Sequence, residues 1–223
     1  MHTWIVIAAY NEAHSIGHVV KELVKSGYKN VVVVDDGSSD DTFKIAKQYT
    51  KHVLQHAINR GQGAALKTGI DYALQQGADI IVTFDADGQH RVEDIARVIE
   101  PVKRDEVDVA LGSRFLTKTK VPFFRKLTLK VGIFVVWLFY GIKLTDVHNG
   151  FRAFSRHAAE TIDITMDGME HASEILSEIK KHNLRFVEIP VIIIYTEYSK
   201  EHGQSSFNAL KIFYKMLLHR FSK

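Results

Sequence analysis

The chain has 223 residues, no cysteine, three prolines and fourteen glycines, with 46% hydrophobic and 25% charged residues. These values describe a globular chain long enough for one large domain with a buried core. They exclude a disordered or collagen-like chain, a disulfide scaffold, thiol nucleophiles and thiolate metal sites. The 29 basic and 26 acidic residues leave a formal charge of +3, too small a balance to point to nucleic acid.

In chain order, residues 4–9 form a short apolar run expected as a buried strand, followed by a helical stripe of Ile16, Val20, Leu23 and Val24 that stops at Gly27. The β-branched run Val31-Val32-Val33-Val34 reads as a central parallel strand. Ser39 and Asp40 can cap a helix starting near Thr42, and Val53-Leu54 suggests a short third strand. Residues 64–76 read as a helix ending at Gly77, 80–84 as a fourth strand, 93–103 as a helix and 107–111 as a fifth strand. This alternation implies an α/β fold with a parallel sheet covered by helices on both faces. The second half is less regular. It offers an apolar helix over 124–140, a strand over 151–154, a helix over 171–182, a strand over 186–195 carrying Pro190, and an amphipathic stretch over 207–221. No repeat, low-complexity tract or composition break divides the chain, so a single domain over 1–223 is expected.

The N-terminal Met1-His2-Thr3-Trp4 lacks a basic region leading into an apolar run and a cleavage site. The longest uncharged apolar stretch, 131–142, is closed by Lys130 and Lys143 and falls short of the roughly 18 residues that a spanning helix needs. A cytoplasmic protein without its own span is therefore expected.

In open α/β sheets, ligands bind outside the carboxyl ends of the strands. Polar clusters follow four of the expected strands: Tyr10-Asn11-Glu12, Asp35-Asp36-Gly37-Ser38, Asp85-Ala86-Asp87-Gly88-Gln89-His90 and Gly112-Ser113-Arg114. Four such clusters on one edge point to a shared site. Asp85 and Asp87, two residues apart, can together hold a hard cation such as Mg2+ or Mn2+ while leaving positions for phosphates; the alternative is a capping turn built by Asp87. An EF-hand loop is excluded, because Gly88 stands at the fourth position rather than the sixth. The segment 61–68 fails as a dinucleotide fingerprint and as a P-loop, since Leu66 occupies a required glycine or alanine position in each. As a glycine-rich turn into a helix it either presents N–H groups to an anion or packs tightly.

These motifs also carry a resemblance. Ala8-Ala9-Tyr10-Asn11-Glu12, Val33-Val34-Asp35-Asp36-Gly37-Ser38-Ser39-Asp40, Asn59-Arg60-Gly61-Gln62-Gly63-Ala64, Asp85-Ala86-Asp87-Gly88-Gln89-His90, Gly112-Ser113-Arg114-Phe115 and Thr145-Asp146-Val147-His148-Asn149-Gly150-Phe151-Arg152 resemble, in order, the motifs of family 2 glycosyltransferases of the GT-A fold. The branch most similar is that of the dolichyl- or polyprenyl-phosphate sugar synthases. The likeness covers residues 4–155, with weaker similarity around Glu188-Ile189-Pro190 and Gly203-Gln204-Ser205.

The resemblance implies a Rossmann-like, mostly parallel sheet flanked by helices, with C-terminal amphipathic helices. Residues 1–115 would bind the nucleotide sugar, and 116–223 would face the acceptor and the membrane. Ala8, Tyr10 and Glu12 would line the nucleotide pocket, Asp36 would accept a base N–H, and Asp85, Asp87 and Gln89 would sit at the metal and donor diphosphate. Ala8 stands where the family commonly has proline. Lys67 is either a site residue or a solvated lysine. Arg114 and Arg152 would face phosphates, Arg152 alternatively serving a structural ion pair. The family inverts the anomeric centre by a single displacement. For a hydroxyl acceptor the leading base is Asp146, with Glu170 second; for an anionic lipid phosphate Asp146 would instead orient Arg114 or the sugar, and a turn-capping role is the remaining option.

Implied partners are a UDP- or GDP-linked nucleotide sugar, a polyprenyl phosphate, a membrane surface and a small integral membrane partner. On one face of the 207–221 stretch lie Phe207, Leu210, Phe213, Tyr214, Leu217, Leu218 and Phe221, and on another Lys211, Lys215 and His219, a pattern that fits either a membrane surface or core packing. Competing readings are a soluble family 2 enzyme acting on a glycan or protein hydroxyl, and a non-catalytic nucleotide-sugar-binding scaffold.

Overall fold

A computed structural model describes residues 1–117, 130, 133, 137, 138 and 141–194. The strands are β1 (Thr3–Ala9), β2 (Val31–Asp35), β3 (His52–Gln55), β4 (Ile80–Thr83), β5 (Val109–Ser113), β6 (Arg152–Ser155) and β7 (Phe186–Pro190). The helices are α1 (Ile16–Lys25), α2 (Thr42–Ala46), α3 (Gln62–Gln75), α4 (Asp94–Lys103), α5 (Arg156–Thr161) and α6 (His171–Lys181), with a 3-10 turn over Arg114–Leu116. They build one seven-stranded sheet in the order β3-β2-β1-β4-β6-β5-β7.

The side-chain period of two along β1 sorts its residues between two cores. Trp4 and Val6 face a layer formed with α3, α5 and α6, where Ala65, Leu66, Ile70, Ile175 and Leu176 pack. Ile5 and Ile7 face the opposite layer, with Ile16, Val20 and Leu23 of α1 and Ile95 and Val98 of α4. Burial on both faces explains why β1 and β2 read as continuous apolar runs rather than alternating ones. The stops are local: Gly27 and Gly77 take φ of +93° and +80° just past α1 and α3. The N-cap of α2 is Asp41, whose side chain makes no capping bond; Asp40, one residue earlier, accepts the Thr42 N–H at 3.0 Å instead. Ser39 turns away and bonds Asn11 Oδ1.

Three features differ from the sequence-based expectation. The strand expected over 151–154 forms as Arg152–Ser155 and runs antiparallel between β4 and β5, so β4 and β5 are not neighbours. The strand expected over 107–111 is shifted to Val109–Ser113, because its parallel partner β7 pairs with it as far as Ser113↔Pro190. The strand expected over 186–195 ends at Pro190, opposite Ser113, where its parallel partner β5 ends and the chain enters the 3-10 turn. Beyond it, Val191 N–H bonds Ser113 O and Ile194 N–H bonds Gln89 O, drawing 191–194 along the strand-end edge.

Most of the apolar stretch 124–140 and all of 207–221 lie outside the described residues. Lys130, Ile133, Trp137 and Leu138 are helical; Ile133 packs on the first core, while Trp137 and Leu138 are exposed. Among the described residues, no helix is long and apolar enough to cross a membrane.

Candidate active site

Strands β1, β2, β4 and β5 share one direction, so the four polar clusters that follow them meet at one edge of the sheet. Ala8 lies within β1, paired with Val34. Tyr10 stands at the end of β1, half exposed. Asn11 takes φ +55° and ties the β1 end to the β2 end, receiving Ser39 N–H on Oδ1 and giving its own N–H to Ser38 Oγ. Glu12 accepts the Ser15 hydroxyl at 2.5 Å. Its pKa is raised by burial, against the Ser15 bond, and further by the charges of Asp87, Asp40 and Asp85. The β1 end and the Asp85/Asp87 loop therefore share one electrostatic neighbourhood.

At the β2 end, buried Asp36 accepts His56 Nδ1 at 2.7 Å and Arg60 N–H at 3.0 Å on Oδ1, and Gly61 N–H at 2.6 Å on Oδ2. Its carboxylate thus fixes the 56–61 segment that leads into α3. That entry is packed tightly: Gly61 has φ +115°, and a Cβ there would lie 2.3 Å from Asp167 O, while one on Gly63 would lie 2.0 Å from Met166 O. The Gly63 and Ala64 N–H groups both bond Asp167 O, at 2.7 and 3.2 Å. A backbone carbonyl therefore occupies the helix start, and the glycines serve its close approach. Lys67, one turn on, is bound by both carboxylate oxygens of Asp71 at 2.7 and 2.6 Å.

The β4 end brings Asp85 and Asp87 together. Asp87 accepts the Gln89 backbone N–H at 2.9 Å and the Gln89 side-chain amide at 2.5 Å, so Gln89 braces Asp87 directly. Burial, followed by the Asp85 charge, raises the Asp87 pKa. Burial works in the same sense on Asp85, but His90, His171 and Arg114 outweigh it and hold that carboxyl below the ordinary range. Two carboxylates pressed together in this way form an oxygen donor set whose mutual repulsion a cation would relieve, so the pair fits Mg2+ or Mn2+. Among the described residues, no group of three or more His, Asp or Glu is arranged to hold a metal, so further ligands would have to come from a bound substrate or water.

Across the sheet edge, Arg114 is buried and pairs with buried Asp146, Nε to Oδ2 at 2.6 Å. Glu188 of β7 anchors the Asp146 loop, accepting Thr145 N–H at 2.8 Å, Thr145 Oγ1 at 2.8 Å and Asp146 N–H at 3.1 Å. Arg152 is buried and donates to the carbonyls of Asn149, Val147 and Ala172. Burial lowers its pKa to about 10. Glu170 is buried at the start of α6. Next to it, His171 gives Nδ1 to Gly168 O at 2.8 Å, and burial depresses its pKa to about 4.

Among the described residues, the buried side-chain polar atoms without a partner are His90 Nδ1, Asn149 Nδ2 and Arg152 Nη1. His90 and Asn149 lie in the two loops that flank Asp85, and Arg152 opens β6 just after the second; Gly150 of that loop lies so close that a Cβ there would be 2.6 Å from Asp85 Oδ1. His90, Asn149 and Glu188 lie inside the motifs that carry the family resemblance but had no role of their own there, and His56 and His171 stand outside those motifs. Their partners are mostly set by the tertiary fold, and only the short offset from Asp85 to His90 was a local signal.

The family model described as glycosyl transferase family 2 matches residues 4–163. The chain is 37% identical to the UDP-N-acetylglucosamine–dolichyl-phosphate N-acetylglucosaminyltransferase of Methanococcus voltae, over 99% of this chain and 96% of that one. It is 29% identical to the polyprenol monophosphomannose synthase of Mycolicibacterium smegmatis, over 94% of this chain and 82% of that one. Among solved structures, the glucosyl-3-phosphoglycerate synthase of Mycobacterium tuberculosis in complex with Mn2+ and UDP-glucose superposes with a TM-score of 0.69 at 16% identity, covering 87% of this chain and 71% of that one. At that identity the likeness is one of fold.

Proposed function

The chain belongs to glycosyl transferase family 2, and from that premise we propose that it moves a sugar from a nucleotide sugar to a polyprenyl phosphate. The observation that carries the donor half is the Asp85/Asp87 pair, crowded enough to raise Asp87, at the edge where Glu12 and the 56–61 segment also converge. The acceptor half is supported by the names of the two relatives, one transferring to dolichyl phosphate and the other to polyprenol phosphate.

In this reading Asp85 and Asp87 hold Mg2+ or Mn2+, with Gln89 bracing Asp87. A bound cation supplies positive charge to the leaving diphosphate. Tyr10 offers an exposed ring for stacking and Glu12 a carboxyl for ribose or base hydrogen bonds. Asp36 shapes the pocket wall through the 56–61 segment. Arg114, fixed by Asp146, steers phosphate, and Arg152 adds positive charge beside it. The acceptor phosphate is already anionic, so attack on the anomeric carbon from the face opposite the diphosphate needs no general base. Asp146 is then an orienting group, consistent with its commitment to Arg114. The lipid acceptor places the reaction at a membrane surface, and the basic amphipathic stretch 207–221 would contact it.

The test is incubation with UDP- and GDP-sugars, UDP-N-acetylglucosamine first, and a short-chain polyprenyl phosphate with Mn2+ or Mg2+. Mass spectrometry of the lipid extract and NMR of the anomeric centre identify the product. A lipid-linked sugar of inverted configuration is expected; transfer only to hydroxyl acceptors would overturn the acceptor assignment.

A further inference from the structure

His90 is the one polar ring in an aromatic cluster. Its centroid lies 5.3 Å from Phe84 and 5.0 Å from Phe151, and those two rings are themselves 5.3 Å apart. The histidine side chain is 3% exposed. Among the described residues, its one side-chain hydrogen bond runs from Nε2 to Asp85 Oδ2 at 2.8 Å, and Nδ1 is buried with no partner. A carboxylate accepts, so the proton of this bond sits on Nε2. A phenylalanine would fill the same space between Phe84 and Phe151 without an orphaned nitrogen. For packing alone the imidazole is therefore the worse choice, and its distinguishing contribution is the contact with Asp85.

Asp85 is held from two sides. His90 bonds Oδ2, and Gly150 leaves room for Oδ1 where any Cβ would lie 2.6 Å away. Thr83 fixes Gly150 in turn, its hydroxyl donating to Gly150 O at 2.6 Å. Asp87 is braced separately by Gln89. The two carboxylates thus have independent supports, and the support of Asp85 is rigid because the ring that supplies it is clamped by aromatic contacts.

We propose that His90 is a positioning residue that fixes the Asp85 carboxylate in the orientation that binds the divalent cation. The proposal rests on the assignment of Asp85 and Asp87 to that cation. Partners of metal-binding carboxylates act by setting ligand direction, and their removal typically costs about 10–100-fold in metal affinity. His90 is buried against Phe84, Phe151 and Asp85, so its effect passes through Asp85.

The experiment compares unmodified protein, His90→Phe and His90→Gln. Mn2+ affinity is read by electron paramagnetic resonance, in the presence of whichever of UDP or GDP the unmodified protein binds, and thermal stability is measured alongside. His90→Phe should weaken Mn2+ binding by about 10–100-fold with the fold retained; the melting temperature, which gains from losing the orphaned nitrogen and loses from unpairing Asp85, serves only to confirm folding. His90→Gln, which keeps a donor at the Nε2 position, should stay closer to the unmodified affinity. In a 15N-histidine spectrum the His90 ring should be protonated at Nε2. If the unmodified protein shows no Mn2+ binding, the metal assignment fails and this proposal with it. If it binds Mn2+ and His90→Phe binds equally well, or His90→Gln is as weak as His90→Phe, the positioning role alone is overturned. Should His90→Phe not fold, the comparison passes to His90→Gln against His90→Leu, which are close in volume and differ in the donor.

Discussion

Asp146 presents one oxygen, Oδ2, to both the backbone N–H and the Nε of Arg114, at 3.1 and 2.6 Å, with both residues buried. Removing one partner of such a pair takes away a short charge-assisted bond inside the protein. Asp146→Ala is therefore expected to cost about 3–5 kcal/mol in urea denaturation. Adding Arg114→Met to that variant should restore part of the loss. Strictly additive losses in the double-mutant cycle would show that the pair is not coupled.

Asp87→Asn should separate stability from donor binding. The substitution removes one of two crowded carboxylates, so the melting temperature should hold or rise. A neutral amide is a poorer ligand for a hard cation, and the gain in nucleotide-diphosphate affinity on adding Mn2+ should fall at least about tenfold. Titration calorimetry with and without Mn2+ reads this directly, and an unchanged metal dependence would remove Asp87 from the metal site. With a confirmed lipid-phosphate acceptor, Asp146→Asn should retain more transfer than Asp87→Asn.

Gly63→Ala tests the docking of the 165–168 loop on α3. The added Cβ would lie 2.0 Å from Met166 O and 2.9 Å from His171 Cβ, so the loop must move. A loss of about 1–3 kcal/mol is expected, with faster proteolysis around 165–168. An unchanged stability would mean that the loop gives way freely.

His171 makes stability pH-dependent. Burial lowers its pKa from 6.5 to about 4, so the folded chain favours the neutral ring. Between those values the unfolded chain binds a proton that the folded one does not. The contribution is fully present above the unfolded pKa and is lost as pH falls through that window. At its limit it amounts to about 3 kcal/mol. His171→Asn keeps a donor for Gly168 O but does not titrate, so its stability should fall less steeply on acidification than that of the unmodified protein. Parallel pH profiles would assign the dependence elsewhere; burial of His148 also lowers its pKa and acts in the same sense.

Much of the sheet was legible because its strands are written in local pattern. The Val31–Val34 run and the 4–9 run appear as β2 and β1, and Gly27 and Gly77 mark real helix ends. α5 escaped notice because six residues give no helical period; Ser155, whose hydroxyl accepts the Ala158 N–H, was its one local signal. The place and direction of β6 follow from pairing with segments about 40 and 70 residues away, which no window of sequence contains. The strand-end carboxylates were visible for the same reason that the strands were. Their supports were not: Glu188 lies 43 residues from Thr145, and Asp36 from Gly61 25, so their roles exist only once the chain is folded.

The antiparallel strand β6 has a consequence for how the molecule assembles. Four residues, Arg152–Ser155, hydrogen-bond β4 on one side and β5 on the other, and among the described strands they join the β3-β2-β1-β4 ladder to the β5-β7 ladder. The first ladder closes over short crossovers within the first 83 residues. The second cannot join it until β6, about 40 residues after β5 in sequence, is in place, a larger loop with a larger closure entropy. Arg114 and Asp146 ride on the segments that arrive late, whereas Asp85 and Asp87 follow directly from the early ladder. Amide protons of β1 and β2 should accordingly outlast those of β5 and β7 in native-state exchange, and the Arg114/Asp146 side of the sheet edge should open at denaturant concentrations that leave the Asp85/Asp87 side closed.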